Sequence, residues 1–258
     1  MDLPLKVQFK RTIVLIVSVV AVAVAIFGAN LIHSKQKCKE IKVVIESENK
    51  NLLVKEYDVQ NVVTGIPSED PQGKPFSRIN LKAIERKVLA NPLIKSCQAH
   101  QDLSGQMTIT VQEHTPIARI LSSKSPNHTQ YDSYLVEDGS MIGLSPHHTE
   151  RVLLISGGYF TGKKSLKDAQ SKSIIELIKF IRDDEFWKSQ ITQLIVEKDG
   201  GVTLIPEFGS HFIELGLAMD LEAKFKKIKI LYKEILPVKG WDFYKKISVK
   251  YKNQIVCE

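Results

Sequence analysis

The stretch Asn91–Ala118 reads NPLIKSCQAHQDLSGQMTITVQEHTPIA and organises the first part of the chain. Asn91-Pro92 predicts the end of a helix, because a proline disfavours the helical conformation of the residue before it. Two segments typical of strands follow, Ile94–Leu103 and Met107–Glu113, and Ser104-Gly105 between them predicts a turn. The stretch therefore predicts two adjacent strands directly after a helix.

The residues before this stretch predict the rest of a small α+β layer. Ile41–Glu46 alternates and is β-branched, which indicates a strand, and Lys55–Val63 indicates a short helix. Asn80 is a typical N-cap for the helix that ends at Asn91-Pro92. The order strand, helix, helix, strand, strand predicts a domain over residues 39–121, with both helices on one face of its sheet.

Nearer the start, Ile13–Ile32 is a run of 20 residues without a charge (IVLIVSVVAVAVAIFGANLI). As a helix it would be roughly 30 Å long, which matches the hydrocarbon thickness of a bilayer. A cleaved secretory signal is the alternative, but the apolar regions of such signals are only about 7–15 residues long. We therefore predict a single transmembrane helix over residues 13–32 that anchors the chain in the lipid bilayer.

We infer the orientation of this helix from the lengths of chain on its two sides rather than from the charges that flank it. Basic residues flank the run on both sides, so the positive-inside rule does not decide. Residues 1–12 are a short tail, whereas nearly all of the remaining chain lies on the other side. We predict a cytoplasmic N-terminus and extracytoplasmic, periplasmic domains.

Residues 122–258 predict a second, β-rich domain with two long helices. Short strands precede a helix over Leu166–Arg182, a hairpin follows, and a second helix covers Met219–Leu236. The chain closes on a predicted strand pair, Ile247–Tyr251 and Ile255–Cys257. The fold class is therefore α+β, with one transmembrane helix and two exported domains.

Composition narrows the function without deciding it. The 258 residues are 43% hydrophobic with a net charge of +7, which excludes a wholly disordered chain and a polytopic membrane protein. The charge suits nucleic acid or an anionic membrane. The lysines of the last helix indicate a solvated face on the extracytoplasmic side, so we predict no nucleic-acid partner.

Gly157–Ser165, GGYFTGKKS, nearly fits the phosphate-binding pattern GxxxxGK[ST]. Counted from Gly157, however, the hydroxyl that would hold Mg²⁺ comes one residue late, at Ser165, and the neighbouring strands look antiparallel. We interpret the segment as a Gly-rich turn before a capped helix and predict no nucleotide.

Other motifs of catalysis or metal binding are also missing. The chain has no HExxH and no GxSxG, and His147-His148 lies in a polar loop without nearby cysteines or paired carboxylates. Cys38, Cys97 and Cys257 form no CxxC pair and predict neither a zinc site nor a disulfide scaffold, although one pair could still form. We predict no catalytic residues, no metal and no cofactor.

Six segments along the chain carry signatures that belong together in this order: Asn91–Ile94 (NPLI), Met107–Val111 (MTITV), Glu113–Ala118 (EHTPIA), Tyr134–Gly139 (YLVEDG), Val152–Gly157 (VLLISG) and Ile247–Val256 (ISVKYKNQIV). In this order they resemble the bacterial cell-division family FtsQ/DivIB over nearly the whole chain. Two residues depart from the family pattern, since Leu93 replaces the usual aromatic residue of the first signature and Lys250 stands where the family usually has arginine.

The resemblance implies a POTRA domain over residues 39–121 and an FtsQ-type β domain over residues 122–258. It implies a non-catalytic scaffold in the cytoplasmic (inner) membrane at the division septum, which links and regulates the divisome. Its implied partners are FtsB, FtsL and other divisome proteins. A partner strand would add to the C-terminal strand, with contacts from Lys250, Tyr251, Asn253 and Gln254.

Two other classes of protein stay open. One is a membrane-anchored extracytoplasmic hydrolase with dispersed catalytic residues, which turnover by the purified protein would reveal. The other is a transport or assembly module built on a POTRA domain. Such modules usually carry tandem POTRA copies or a membrane β-barrel.

Overall fold

The computed structural model describes residues 15–24, 36–47, 51–102, 104–122 and 132–258. The chain divides into two compact units. Among the described residues, the first unit contains residues 15–24, 36–47, 54–102 and 104–113, and the second contains residues 51–53, 114–122 and 132–258.

The first unit contains a sheet of three described strands, β1 (Glu40–Glu46), β2 (Ile94–Gln101) and β3 (Gln106–Glu113). The strand β3 is central: it pairs in parallel with β1 and antiparallel with β2. Every second residue of β3 is buried, as Met107 and Ile109 show, because one face of a strand meets the core. The predicted pair of strands is confirmed.

Two helices cover this sheet, α1 (Glu56–Thr64) and α2 (Leu81–Val88). Asn80 caps α2, since its Oδ1 accepts a hydrogen bond from the backbone N–H of Ala83 at 3.0 Å. A short 3₁₀ turn, Phe76–Arg78, precedes this cap. The first unit thus has the predicted strand, helix, helix, strand, strand order.

The second unit contains a sheet of nine described strands. The strands are β4 (Pro116–Ile120), β5 (Ser133–Val136), β6 (Met141–Gly143), β7 (Leu153–Ser156), β8 (Ile191–Val196), β9 (Val202–Pro206), β10 (Phe212–Gly216), β11 (Lys246–Ser248) and β12 (Val256–Cys257). Their order in the sheet is β12-β11-β10-β9-β8-β7-β4-β5-β6, and both parallel and antiparallel pairs occur in it.

The structure moves the boundary between the two domains. The predicted first domain ended at Leu121, but β4 pairs with β5 and β7 of the second sheet. The chain therefore passes into the second unit at Glu113-His114. A strand belongs to the sheet that satisfies its backbone hydrogen bonds, and local periodicity could not show which sheet that is.

The helices of the second unit are α3 (Ala169–Asp183), α4 (Glu185–Gln190), α5 (Leu221–Ile230) and α6 (Leu236–Lys239). Residues Leu231–Ile235 between α5 and α6 form a π-helical segment, in which Leu236 N–H donates to Leu231 O. Pro237 explains this interruption, because a proline lacks the N–H that an α-helix needs and crowds the preceding turn. The predicted helix Met219–Leu236 is thus divided.

Half of the predicted membrane anchor lies outside the described residues. Residues 15–24 are helical and exposed, whereas residues 13–14 and 25–32 of the predicted span, and the predicted tail 1–12, are not described. Within the described part of the chain, the structure contains no helix with the length and apolar character needed to cross a bilayer.

We predict that Asn80→Ala lowers the free energy of unfolding of the first unit by about 1 kcal/mol, because it removes the N-cap acceptor of α2. The measurement is urea denaturation together with hydrogen exchange of the amides of residues 81–88. Asn80→Asp is the control, because aspartate supplies an equivalent oxygen. Unchanged exchange in Asn80→Ala would show that the cap does not stabilise this helix.

Candidate partner-binding site

The strand β12 forms one edge of the second sheet. It is two residues long and pairs only with β11 among the described strands. Glu258 and Lys246 exchange backbone hydrogen bonds, with N···O distances of 2.9 and 3.1 Å. Because backbone groups alternate in direction along an antiparallel strand, the N–H and C=O of Cys257 point away from β11, towards the open edge.

The four predicted contact residues lie beside this edge rather than on a strand. β11 ends at Ser248, so the predicted strand Ile247–Tyr251 is too long. Val256 pairs with Ser248, and the chain must reverse direction between these two residues. Residues 249–255 are the connecting turn, in which Lys250, Tyr251, Asn253 and Gln254 are all exposed.

An ion pair fixes the first of these residues. Lys250 Nζ lies 2.9 Å from Glu214 Oε1 on β10 and 5.2 Å from the centroid of the Tyr251 ring. Lys246 Nζ lies 3.7 Å from the other carboxylate oxygen. The hydrogen bond from Lys250 holds the pKa of Glu214 below its usual value, so the carboxylate is charged at neutral pH.

A second lysine ties the turn to α5. Lys227 Nζ donates to the backbone oxygen of Tyr251 at 2.5 Å, and Lys224 Nζ donates to that of Leu217 at 2.8 Å. Both lysines are half-buried, and burial lowers the pKa of Lys224. The lysines of this helix are predicted to line a solvated face, but the ammonium groups of these two contact backbone oxygens instead.

Together, β10, the turn and the start of α5 enclose a groove of about 1140 Å³. Its lining includes Leu217 and Met219, which are about half exposed, next to Tyr251. The charged residues of the lining are Lys224, Lys227, Lys250, Lys252, Asp220 and Glu222, so the groove carries a net positive charge. An apolar surface among lysines suits a partner segment that carries apolar and acidic side chains.

The contribution of α5 to this groove is not among the predictions from the sequence. The sequence feature that points to it is Leu217–Met219, an apolar segment directly before a lysine-rich helix. This local pattern does not show where the helix lies in the fold. Asp220 precedes the helix in a left-handed conformation (φ 53°), and it lines the same groove as Tyr251.

The Gly-rich segment before α3 carries no sign of phosphate binding. Lys163 Nζ lies 2.9 Å from Asp168 Oδ2, and the carboxylate of Asp168 caps α3 through Ser171 N–H at 2.9 Å. A negative charge thus occupies the helix end that would attract a phosphate. The strands beside the segment were predicted to be antiparallel, which is wrong, because β7 pairs in parallel with β4 and β8.

No cluster of three or more His, Cys, Asp or Glu side chains that could hold a metal occurs among the described residues. All three cysteines are described and free. Cys38 and Cys97 are buried in the first unit, and burial raises the pKa of Cys97 to about 11. This thiol is therefore protonated at neutral pH and unreactive.

A buried histidine, His211, makes two side-chain contacts at the end of the second sheet opposite the groove. His211 contacts the backbone oxygen of Trp241 through Nδ1 (3.3 Å) and the hydroxyl of Tyr232 through Nε2 (2.9 Å). A carbonyl oxygen can only accept, so Nδ1 carries the proton and the tyrosine donates to Nε2. Burial lowers the pKa of His211 and favours this neutral form.

Comparison with known proteins assigns both units. A family model described as FtsQ/DivIB, C-terminal related, matches residues 115–258. The chain belongs to the FtsQ/DivIB family. A model described as a POTRA-like domain matches residues 36–112, and no curated protein matches the chain.

Family membership gives the chain a general role as a cell-division scaffold with partners among the divisome proteins. The family is non-catalytic. The first unit is the POTRA-like domain, and the candidate site lies in the family's C-terminal domain.

We predict that the second unit loses stability as the pH falls below 6.5. The pKa of His211 is lowered from 6.5 in the folded state, so the unfolded chain binds the proton more strongly. The stabilisation is complete above the unfolded pKa and is lost as the pH falls through the folded one.

The measurement is the free energy of unfolding between pH 7.5 and pH 5, compared with that of His211→Gln, which does not titrate. Asp242, the nearby charged group that favours protonation of His211, is present in both proteins. Identical pH profiles would contradict the prediction.

Proposed function

We propose that this protein links divisome components at the septum by binding FtsB and FtsL along the open edge of its second sheet. The observation that carries the proposal is β12, an edge strand that ends a sheet assigned to the FtsQ/DivIB family. An open edge offers backbone groups that a partner strand can pair with.

The groove next to the edge supports the same proposal. The edge strand is too short to provide affinity through backbone hydrogen bonds alone, since each contributes only about 1 kcal/mol net. Exposed Tyr251 and the lysine ammonium groups around it supply the side-chain contacts. Lys250, Tyr251, Asn253 and Gln254 remain our proposed partner-binding residues.

We further propose that residues 13–32 anchor the chain in the cytoplasmic (inner) membrane, with residues 1–12 in the cytoplasm. The support is the uncharged apolar run of 20 residues. Both domains would then lie in the periplasm, where they would contact the septal machinery. The POTRA-like domain would serve as a docking surface or as a spacer.

We predict that Cys257→Pro raises the dissociation constant for full-length FtsB about fivefold, the effect of losing one backbone hydrogen bond worth about 1 kcal/mol. Proline removes the outward N–H of β12 and leaves the pairing with β11 intact, which edge strands tolerate. Cys257→Ala is the control, because it keeps the N–H. Tyr251→Ala should weaken binding about tenfold, since exposed aromatic residues commonly dominate interfaces.

The matched control for Tyr251→Ala is Tyr57→Ala. Both tyrosines are about half exposed, and a lysine lies over each ring. Binding is measured by calorimetry or interferometry with the full-length chain in nanodiscs. Wild-type affinity in both Cys257→Pro and Tyr251→Ala would refute binding at this edge.

Depletion of the protein in growing cells should give long, undivided filaments, because the septal machinery would lack its scaffold. Cell length and septum number by microscopy are the readouts, and re-expression of the wild-type chain is the control. Cells that divide normally after depletion would be incompatible with the proposed role.

A further inference from the structure

A second exposed surface lies at the opposite end of β10 and β11 from the groove. Phe208, Val238 and Phe243 are 59%, 81% and 61% exposed, and Phe212 and Trp241 are also exposed. We call these five residues the aromatic tip. Soluble proteins rarely expose so many large apolar side chains together unless they bind something.

Hydrogen bonds within the chain order the aromatic tip in the absence of a partner. Ser210 N–H donates to Asp242 Oδ1 at 2.9 Å, and Phe212 N–H donates to Lys245 O at 3.0 Å. With the contacts of His211, these bonds join residues 207–212 to residues 240–245. A surface that is already ordered loses little conformational entropy on binding.

The aromatic tip is continuous with the edge strand. Lys245 N–H donates to Glu258 O at 2.8 Å, so the end of β12 lies two residues along the chain from Phe243. A strand added to β12 that continues past Glu258 needs only about three further residues, roughly 10 Å, to reach the aromatic tip.

The charges around the aromatic tip favour a protein segment over a lipid surface. Lys239 and Lys245 are exposed, and Lys239 Nζ lies 5.7 Å from the centre of the Phe243 ring. Glu207 and Asp242 are exposed between the apolar side chains, and their charges would oppose burial in an anionic bilayer.

We propose that the polypeptide segment following the strand added to β12 docks on the aromatic tip, with an apolar side chain on Phe243 and a carboxylate near Lys239 or Lys245. This inference rests on the proposed function. The partner is then held at both ends of a two-residue edge strand, by the groove and by the aromatic tip.

The test uses the full-length chain in nanodiscs with tryptophan-free FtsB and FtsL. Phe243→Ser should weaken binding about tenfold, and Val238→Ser at least threefold. Leu89→Ser, an exposed leucine of the first unit, is the control and should bind as wild type does. Trp241 emission should shift to shorter wavelength on binding, whereas Trp187 is already buried.

The outcomes separate the two proposals. If both variants of the aromatic tip bind normally and Cys257→Pro does not, the docking segment is refuted and the proposed function stands. If the wild-type chain does not bind FtsB and FtsL, the proposed function fails. Quenching of Trp241 by brominated lipids in the unbound chain would identify a membrane surface instead and overturn the proposal.

Discussion

The parallel pairing of β10 with β11 is the constraint on which the candidate site depends. Two parallel neighbours cannot be joined by a tight turn, so the chain must cross from the end of one strand to the start of the other. Residues 217–245 make this crossing through α5, the π-helical segment and α6. The crossing begins beside the groove and ends beside the aromatic tip, at opposite ends of β10 and β11.

Two of the lysines that line the groove also hold its parts together. Lys227 joins α5 to the turn, and Lys250 joins the turn to Glu214 on β10. In each case one lysine ammonium group donates a hydrogen bond to an oxygen atom near the open edge. The turn is therefore ordered, which lowers the entropic cost of binding. At the other end of the strands, His211 performs the same task for the aromatic tip.

Much of the first unit could be predicted, because its signals are local. Asn80 was identified as a cap because its short side chain follows a loop and precedes a helical repeat. The strand β3 was identified by its alternation. Two of the predictions that differ from the structure depend on distant pairing: β4 joins the second sheet, and β11 stops at Ser248. The division of the last helix is instead a local effect of Pro237, which the helical spacing of the apolar residues does not show.

The sequence by itself determined the family, the order of elements in the POTRA-like domain and the position of Lys250 and Tyr251 near the C-terminus. These depend on residue types at short spacing, which local periodicity and turn chemistry specify. Only the tertiary structure decided that these residues lie in a turn beside an open edge, and that Leu217, Met219 and Lys227 share their groove. Strand pairing and the chain crossover bring these residues together. Both depend on contacts between residues far apart in the sequence, which the pattern of neighbouring residues does not show.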